Sequence, residues 1–258
     1  MHKFKSFAYL DVQKTASTFI ATYLLNFSNE PPTKQKNHSR VKPKNVKGKF
    51  FIISCRDPLD QYISLYSFGC DGRGGLHGRL EKAGMAESYD RSADGFDRWI
   101  RMLLDPDSAV FLGEQYAASQ AAPLVGFQTY RFLVMAIPDA VSLLPTCHAR
   151  ADVETLYSSK NVARWCVRYE NLIESLKELT KGPLADRITD VRAALRYLDE
   201  SPPINASNRL DSAQPFHISD EILRLIEDRE WFFFEKLGYR RYTDQATSRD
   251  KASPDPVR

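Results

Sequence analysis

The sequence predicts an α/β protein, a three-layer α/β/α arrangement with a central parallel sheet and helices on both faces. Three observations predict it. Phe7-Ala8-Tyr9-Leu10 and Phe50-Phe51-Ile52-Ile53-Ser54-Cys55 are apolar runs without alternation, the pattern of strands buried on both faces. Each run passes through a short polar turn into residues with helical spacing. Strands and helices then alternate along the chain, and right-handed crossovers turn that order into a parallel sheet. The 258 residues suffice for one large core. Residues 1–242 read as one domain with an insertion at 69–95, and 243–258 as a polar, disordered tail.

The elements follow in order. After the first strand, Asp11 to Thr18 is polar, and Phe19, Ile20, Tyr23, Leu24 and Phe27 recur at helical spacing. Residues 28–49 are basic and broken by Pro31, Pro32 and Pro43, so they read as a loop. The second strand ends at Arg56-Asp57-Pro58. Proline suits a first helical position, and Leu59, Tyr62, Ile63 and Tyr66 form an apolar face behind it. The stretch 69–95 is rich in glycine and charge and reads as a surface insertion. Helical patterns follow at 96–104 and, less regularly, at 114–136. Residues 161–168 read as a strand, and 172–179 and 188–198 as helices. Ser219 caps a last long helix that runs to Phe234 and stops at Gly238.

Composition narrows the function classes. A net charge of +3 does not demand a nucleic-acid partner, although it suits a protein that handles anions. The four cysteines show no C-x-x-C spacing, so neither a zinc site nor a redox pair is indicated. Cys55 and Cys166 lie in strand-like runs and read as small buried hydrophobes. No apolar stretch is long enough to span a membrane. The N-terminus enters the first strand without a signal-peptide pattern, so a cytoplasmic protein is expected.

Two junctions carry chemistry. Gln13-Lys14-Thr15-Ala16-Ser17-Thr18-Phe19 joins a strand to a helix N-terminus. Free backbone N–H groups and the helix dipole favour an anion there, and Lys14 adds a full positive charge. The Walker pattern is absent, since no glycine precedes Gly48. That absence argues against an ordinary ATPase or GTPase. At the second junction, Arg56 brings a forked guanidinium to the end of a strand. Ser64 follows it by 8 positions on the next helix.

Taken together, these motifs resemble the sulfotransferases that use 3′-phosphoadenosine 5′-phosphosulfate. Residues 13–19 are similar to the family's 5′-phosphosulfate loop, with Gln13 and Ala16 where proline and glycine are common. The K-T-A-S-T core resembles the uronyl 2-O-sulfotransferase branch, and the C-terminal third resembles bacterial sulfotransferases. The resemblance implies a P-loop NTPase-like sulfotransferase fold. It implies that Gln13 to Phe19 cradle the donor's 5′ end and that Lys14 is catalytic. Arg56 and Ser64 would take the 3′-phosphate, and Arg209, in Asn205-Ala206-Ser207-Asn208-Arg209, would touch a phosphate or else belong to a structural loop. It implies no metal. His38 would be the general base, with His77 or a carboxylate such as Glu30 as alternatives. The acceptor would be a carbohydrate, gripped by Arg73, Arg79 and Lys82. Arg168-Tyr169-Glu170-Asn171-Leu172 is similar to a family segment read as architectural. Two rivals stay open: a nucleotide-holding module without turnover, and a P-loop-related kinase. The acceptor's identity and the oligomeric state have no readable code in the sequence.

Overall fold

The computed structural model describes residues 1–201 and 218–244. The strands are β1 (His2–Lys3), β2 (Phe7–Leu10), β3 (Lys34–Gln35), β4 (Phe50–Cys55) and β5 (Ala163–Arg168). The helices are α1 (Ser17–Phe27), α2 (Pro58–Cys70), α3 (Gly75–Lys82), α4 (Ala93–Leu104), α5 (Ala109–Leu112) and α6 (Phe127–Ala136). They continue with α7 (Ala140–Leu143), α8 (Arg150–Lys160), α9 (Leu172–Lys181), α10 (Val191–Glu200), α11 (Asp220–Arg229) and α12 (Trp231–Glu235). Among the described residues no helix is long and apolar enough to cross a membrane.

The protein is α/β, as expected, but its sheet is mixed rather than parallel. Strand order is β3-β1-β2-β4-β5. The inner strands are parallel, with Phe7 opposite Phe50 and Leu10 opposite Ile53. β4 and β5 are also parallel, with Ile53 opposite Cys166 and Cys55 opposite Arg168. β1 instead runs antiparallel to both β2 and β3. The reason is a reversal at Phe4, whose N–H donates to Phe7 O at 2.9 Å and folds His2 and Lys3 back along β2. Strands of two residues carry no periodicity, so neither β1 nor β3 can be read from hydropathy.

The chain divides into two compact units. The first holds Met1–Asp57 and Tyr130–Ser207, and the second Pro58–Thr129 and Asn208–Arg258. In the first unit one face of the sheet presents Phe7, Tyr9, Ile52 and Val167. Against it pack Ile20, Tyr23 and Leu24 of α1, Leu172, Leu176 and Leu179 of α9, and Ala194 and Leu198 of α10. Pleating sends Ile53, Cys55 and Cys166 to the opposite face. Tyr157 of α8 lies beside the two thiols there, and burial together with those thiols pushes its phenol up to about 12.

The second unit packs α2, α3, α4, α5, α11 and α12. Tyr62 and Tyr66 of α2 meet Trp99 of α4 at ring-centroid distances of 6.2 and 5.3 Å. The stretch 69–95, expected as a surface insertion, has structure of its own. It carries α3, and a Cβ at Gly69 would collide with the ring of Tyr89. The expected long C-terminal helix breaks at Glu230, whose φ of −100° separates α11 from α12. The Glu230 carboxylate is fully buried and accepts bonds from Tyr62, from Thr129 Oγ1 and from the backbone N–H groups of Gln128 and Thr129. Four donors on one carboxylate offset the cost of burying it.

Candidate functional site

The site belongs to the first unit, where β2, β4 and β5 end together. Leu10 leads into Asp11-Val12-Gln13-Lys14, Cys55 into Arg56, and Arg168 into Tyr169. Parallel strands present such ends on one edge, the usual position of ligand sites in α/β sheets.

Lys14 and Ala16 both have left-handed backbone, with φ of +64° and +60°, on either side of Thr15. Backbone of this kind turns successive N–H groups toward one point, a concavity that accepts anions. Ala16 is the cap residue of α1 and provides no side-chain acceptor, and the first turn carries no acidic residue. The opening N–H groups of α1 therefore keep their capacity for an outside acceptor. α4, α10 and α11 differ: Ser92, Asp190 and Ser219 each accept a first-turn N–H.

The structure divides the roles of the loop residues. Gln13, Lys14, Ala16 and Ser17 are half-buried and Thr18 is exposed. Thr15 is fully buried. Its hydroxyl donates to Val12 O at 2.8 Å and lies 2.6 Å from Ser54 Oγ, which in turn lies 2.7 Å from Tyr9 OH. Thr15 thus ties the loop to β4 through its side chain and can serve an anion through its backbone. Phe19 points into the core cluster, with its ring 6.1 Å from that of Tyr197.

Arg56 is 7% exposed, and its guanidinium carbon lies 3.9 Å above the Tyr169 ring. Its Nη1 is 3.4 Å from the Lys14 carbonyl, so the two sequence motifs meet. Glu170 accepts the Asp57 N–H at 2.6 Å and holds the start of the Arg-Asp-Pro turn. The segment at 168–172 is therefore architectural in part, while Tyr169 is a direct partner of Arg56. Sequence reasoning missed that pairing, because Arg56 and Tyr169 lie 113 positions apart, as do Asp57 and Glu170 beside them.

His38 is also brought to this edge. Its backbone N–H donates to Asp11 Oδ2 at 2.8 Å, and its ring Nδ1 lies 2.8 Å from Asp11 O. The His38 side chain is 39% exposed and that of Asp11 2%. Asp11 also pairs with the Met1 amine and lies 3.9 Å from His2 Nε2. Burial pushes both the Met1 amine and the His2 imidazole down, against the pull of Asp11. Asp11 was not singled out from the sequence, where an acid after a strand looks like any turn residue.

Glu30 lies elsewhere. Its Oε2 accepts the Ser6 N–H at 2.8 Å, at the amino end of β2 and so at the opposite edge from Lys14. Ser64 and His77 belong to the second unit. Ser64 is 8% exposed on α2, and the His77 ring lies 5.2 Å from that of Tyr89. In that unit Arg79 meets Glu114 at 3.4 Å and Arg73 lies 4.5 Å above the Phe68 ring. Both side chains already have partners, which weakens their reading as acceptor grips. Arg209 lies outside the described residues.

Cys166 corrects another expectation, while Cys55 meets it. Cys55 is buried, but Cys166 is exposed on the edge strand β5. The two sulfurs lie 3.1 Å apart as thiols, and the hydrogen bond with Cys55 holds the Cys166 thiol well above its usual range.

No protein-family model, no curated protein and no solved structure matches this chain.

Proposed function

We propose that this chain is a sulfotransferase that moves a sulfuryl group from 3′-phosphoadenosine 5′-phosphosulfate to a hydroxyl of a carbohydrate or glycoconjugate. The observation that carries the reading is the meeting of its two motifs. The left-handed turn at Lys14–Ala16 opens an uncapped helix, and Arg56 of the adjacent strand reaches the Lys14 carbonyl at 3.4 Å. An anion-accepting turn with a lysine beside a buried arginine suits a ligand that bears phosphates at two places.

In the reaction the acceptor oxygen forms a bond to sulfur, and the bond from sulfur to the 5′-phosphate oxygen breaks. Adenosine 3′,5′-bisphosphate leaves, and the acceptor's proton passes to a base. Lys14 offsets the charge that grows on the bridging oxygen. Ser17, Thr18 and the α1 N–H groups hold the 5′-phosphate, and Gln13 lines the turn. Arg56 serves the 3′-phosphate, a role that the family resemblance also extends to Ser64 and Arg209. His38 is the base. Exposed Lys34, Lys36 and Lys42 flank it, which favours an anionic acceptor. The fold on this reading is of the P-loop-like sulfotransferase kind, and the enzyme is cytoplasmic.

The test is transfer of sulfur-35 from labelled donor to desulfated heparin and to chondroitin. The reading expects label in at least one polysaccharide, and a loss of at least about 100-fold in Lys14→Ala, the scale of a lost transition-state donor. Bisphosphate binding without transfer to either polysaccharide would favour the non-catalytic module.

A further inference from the structure

We propose that Asp11 is the positioning residue that prepares His38 to accept a proton at Nε2. The inference rests on the proposed role of His38 as base and adds the residue and the atom through which that role is prepared. A backbone carbonyl can only accept a hydrogen bond. The 2.8 Å contact between Asp11 O and His38 Nδ1 therefore requires the proton of the neutral ring to sit on Nδ1. That leaves the lone pair on Nε2, which has no partner among the described residues, on a side chain that is 39% exposed.

The Asp11 side chain makes this geometry possible. His38 has left-handed backbone, with φ of +52°, a conformation that costs a non-glycine residue free energy and persists only when something holds it. Oδ2 of Asp11 holds it by accepting the His38 N–H at 2.8 Å. The same oxygen lies 3.5 Å from Nδ1, where it stabilises the imidazolium that forms when Nε2 takes a proton. The other carboxylate oxygen is held by the Met1 amine, so the carboxylate has little freedom to turn. Asp11 also directly follows β2 and precedes Lys14 by three residues, so one strand end carries the sulfuryl-side lysine and the clamp on the base.

The test reads the tautomer directly. Nitrogen-15 spectra of the full chain, with His38 assigned by its absence in His38→Gln, report which ring nitrogen is protonated in the neutral form. Wild type is expected to show a protonated Nδ1 and a bare Nε2, the opposite of the form an unconstrained imidazole favours. Asp11→Ala removes the clamp. Asp11→Glu keeps the charge that meets Met1 and His2 but displaces the carboxylate by one methylene, which keeps the test open if the alanine variant does not fold. Both variants are expected to lose the single tautomer and show a mixture. A wild-type ring protonated at Nε2, or a folded variant that keeps the wild-type pattern, would overturn the proposal. Titrating adenosine 3′,5′-bisphosphate into the same wild-type sample separates the two readings. Failure to bind it would remove the donor assignment while leaving the tautomer result to judge Asp11.

Discussion

At the scale of single residues, Ala16 carries a cost that its sequence neighbours do not reveal. Its φ of +60° puts a Cβ where the left-handed region tolerates one poorly, at about 1 kcal/mol or more. Glycine at this position would relieve the contact, although the unfolded chain gains some freedom in exchange. Ala16→Gly is therefore expected to raise the urea midpoint by the equivalent of up to about 1 kcal/mol. A lower midpoint at an unchanged slope would mean that Ala16 packs to more effect than its backbone suggests. The residue types of the site were legible in the sequence, because Lys14 and Arg56 each stand where a strand passes into a helix. Their division of labour was not. Thr15 looks like a hydroxyl for the ligand, and only the fold shows that its hydroxyl is spent on Val12 and Ser54. Asp11 and Tyr169 were illegible for the same reason, since their partners come from distant parts of the chain.

At the scale of elements, α1 is built to leave its opening turn unsatisfied. A carboxylate at Ser17 would do what acids do at other helix starts and stabilise α1 by about 0.3–1 kcal/mol. It would also place a negative charge where the donor's phosphate is proposed to sit. Ser17→Asp is thus expected to hold or raise stability while weakening adenosine 3′,5′-bisphosphate by at least about 10-fold. Equal affinity in calorimetry, with the fold intact, would remove α1 from the ligand site. The long elements were legible because burial imposes a period on them: β2, β4, α1, α2, α4, α9 and α10 all match apolar spacing. α8 was missed because Val153 is its one fully buried residue, so no apolar stripe marks it. The expected helix at 114–136 shrank to α6, since Glu114, Gln115 and Gln120 take positive φ and interrupt it. Glu230 broke the C-terminal helix because its carboxylate is needed in the interior, a demand that no local pattern encodes.

At the scale of the whole molecule, the α/β class followed from alternating elements, whereas the mixed sheet depends on two-residue strands below the limit of pattern reading. The chain also divides where a reading by motifs does not. Arg56 lies in a segment of the first unit that ends at Asp57, and Ser64 lies in the second, within one strand–helix junction of the sequence. The central claim is that the edge built from Lys14, α1 and Arg56 holds a bisphosphorylated adenosine. Calorimetric titration of adenosine 3′,5′-bisphosphate into wild type and Arg56→Ala, with ATP as the comparison ligand, tests it most directly. The account predicts binding to wild type, a loss of at least about 10-fold in Arg56→Ala, as for a charge-assisted phosphate contact, and weaker binding of ATP. No binding, or a preference for ATP that survives the substitution, would contradict it.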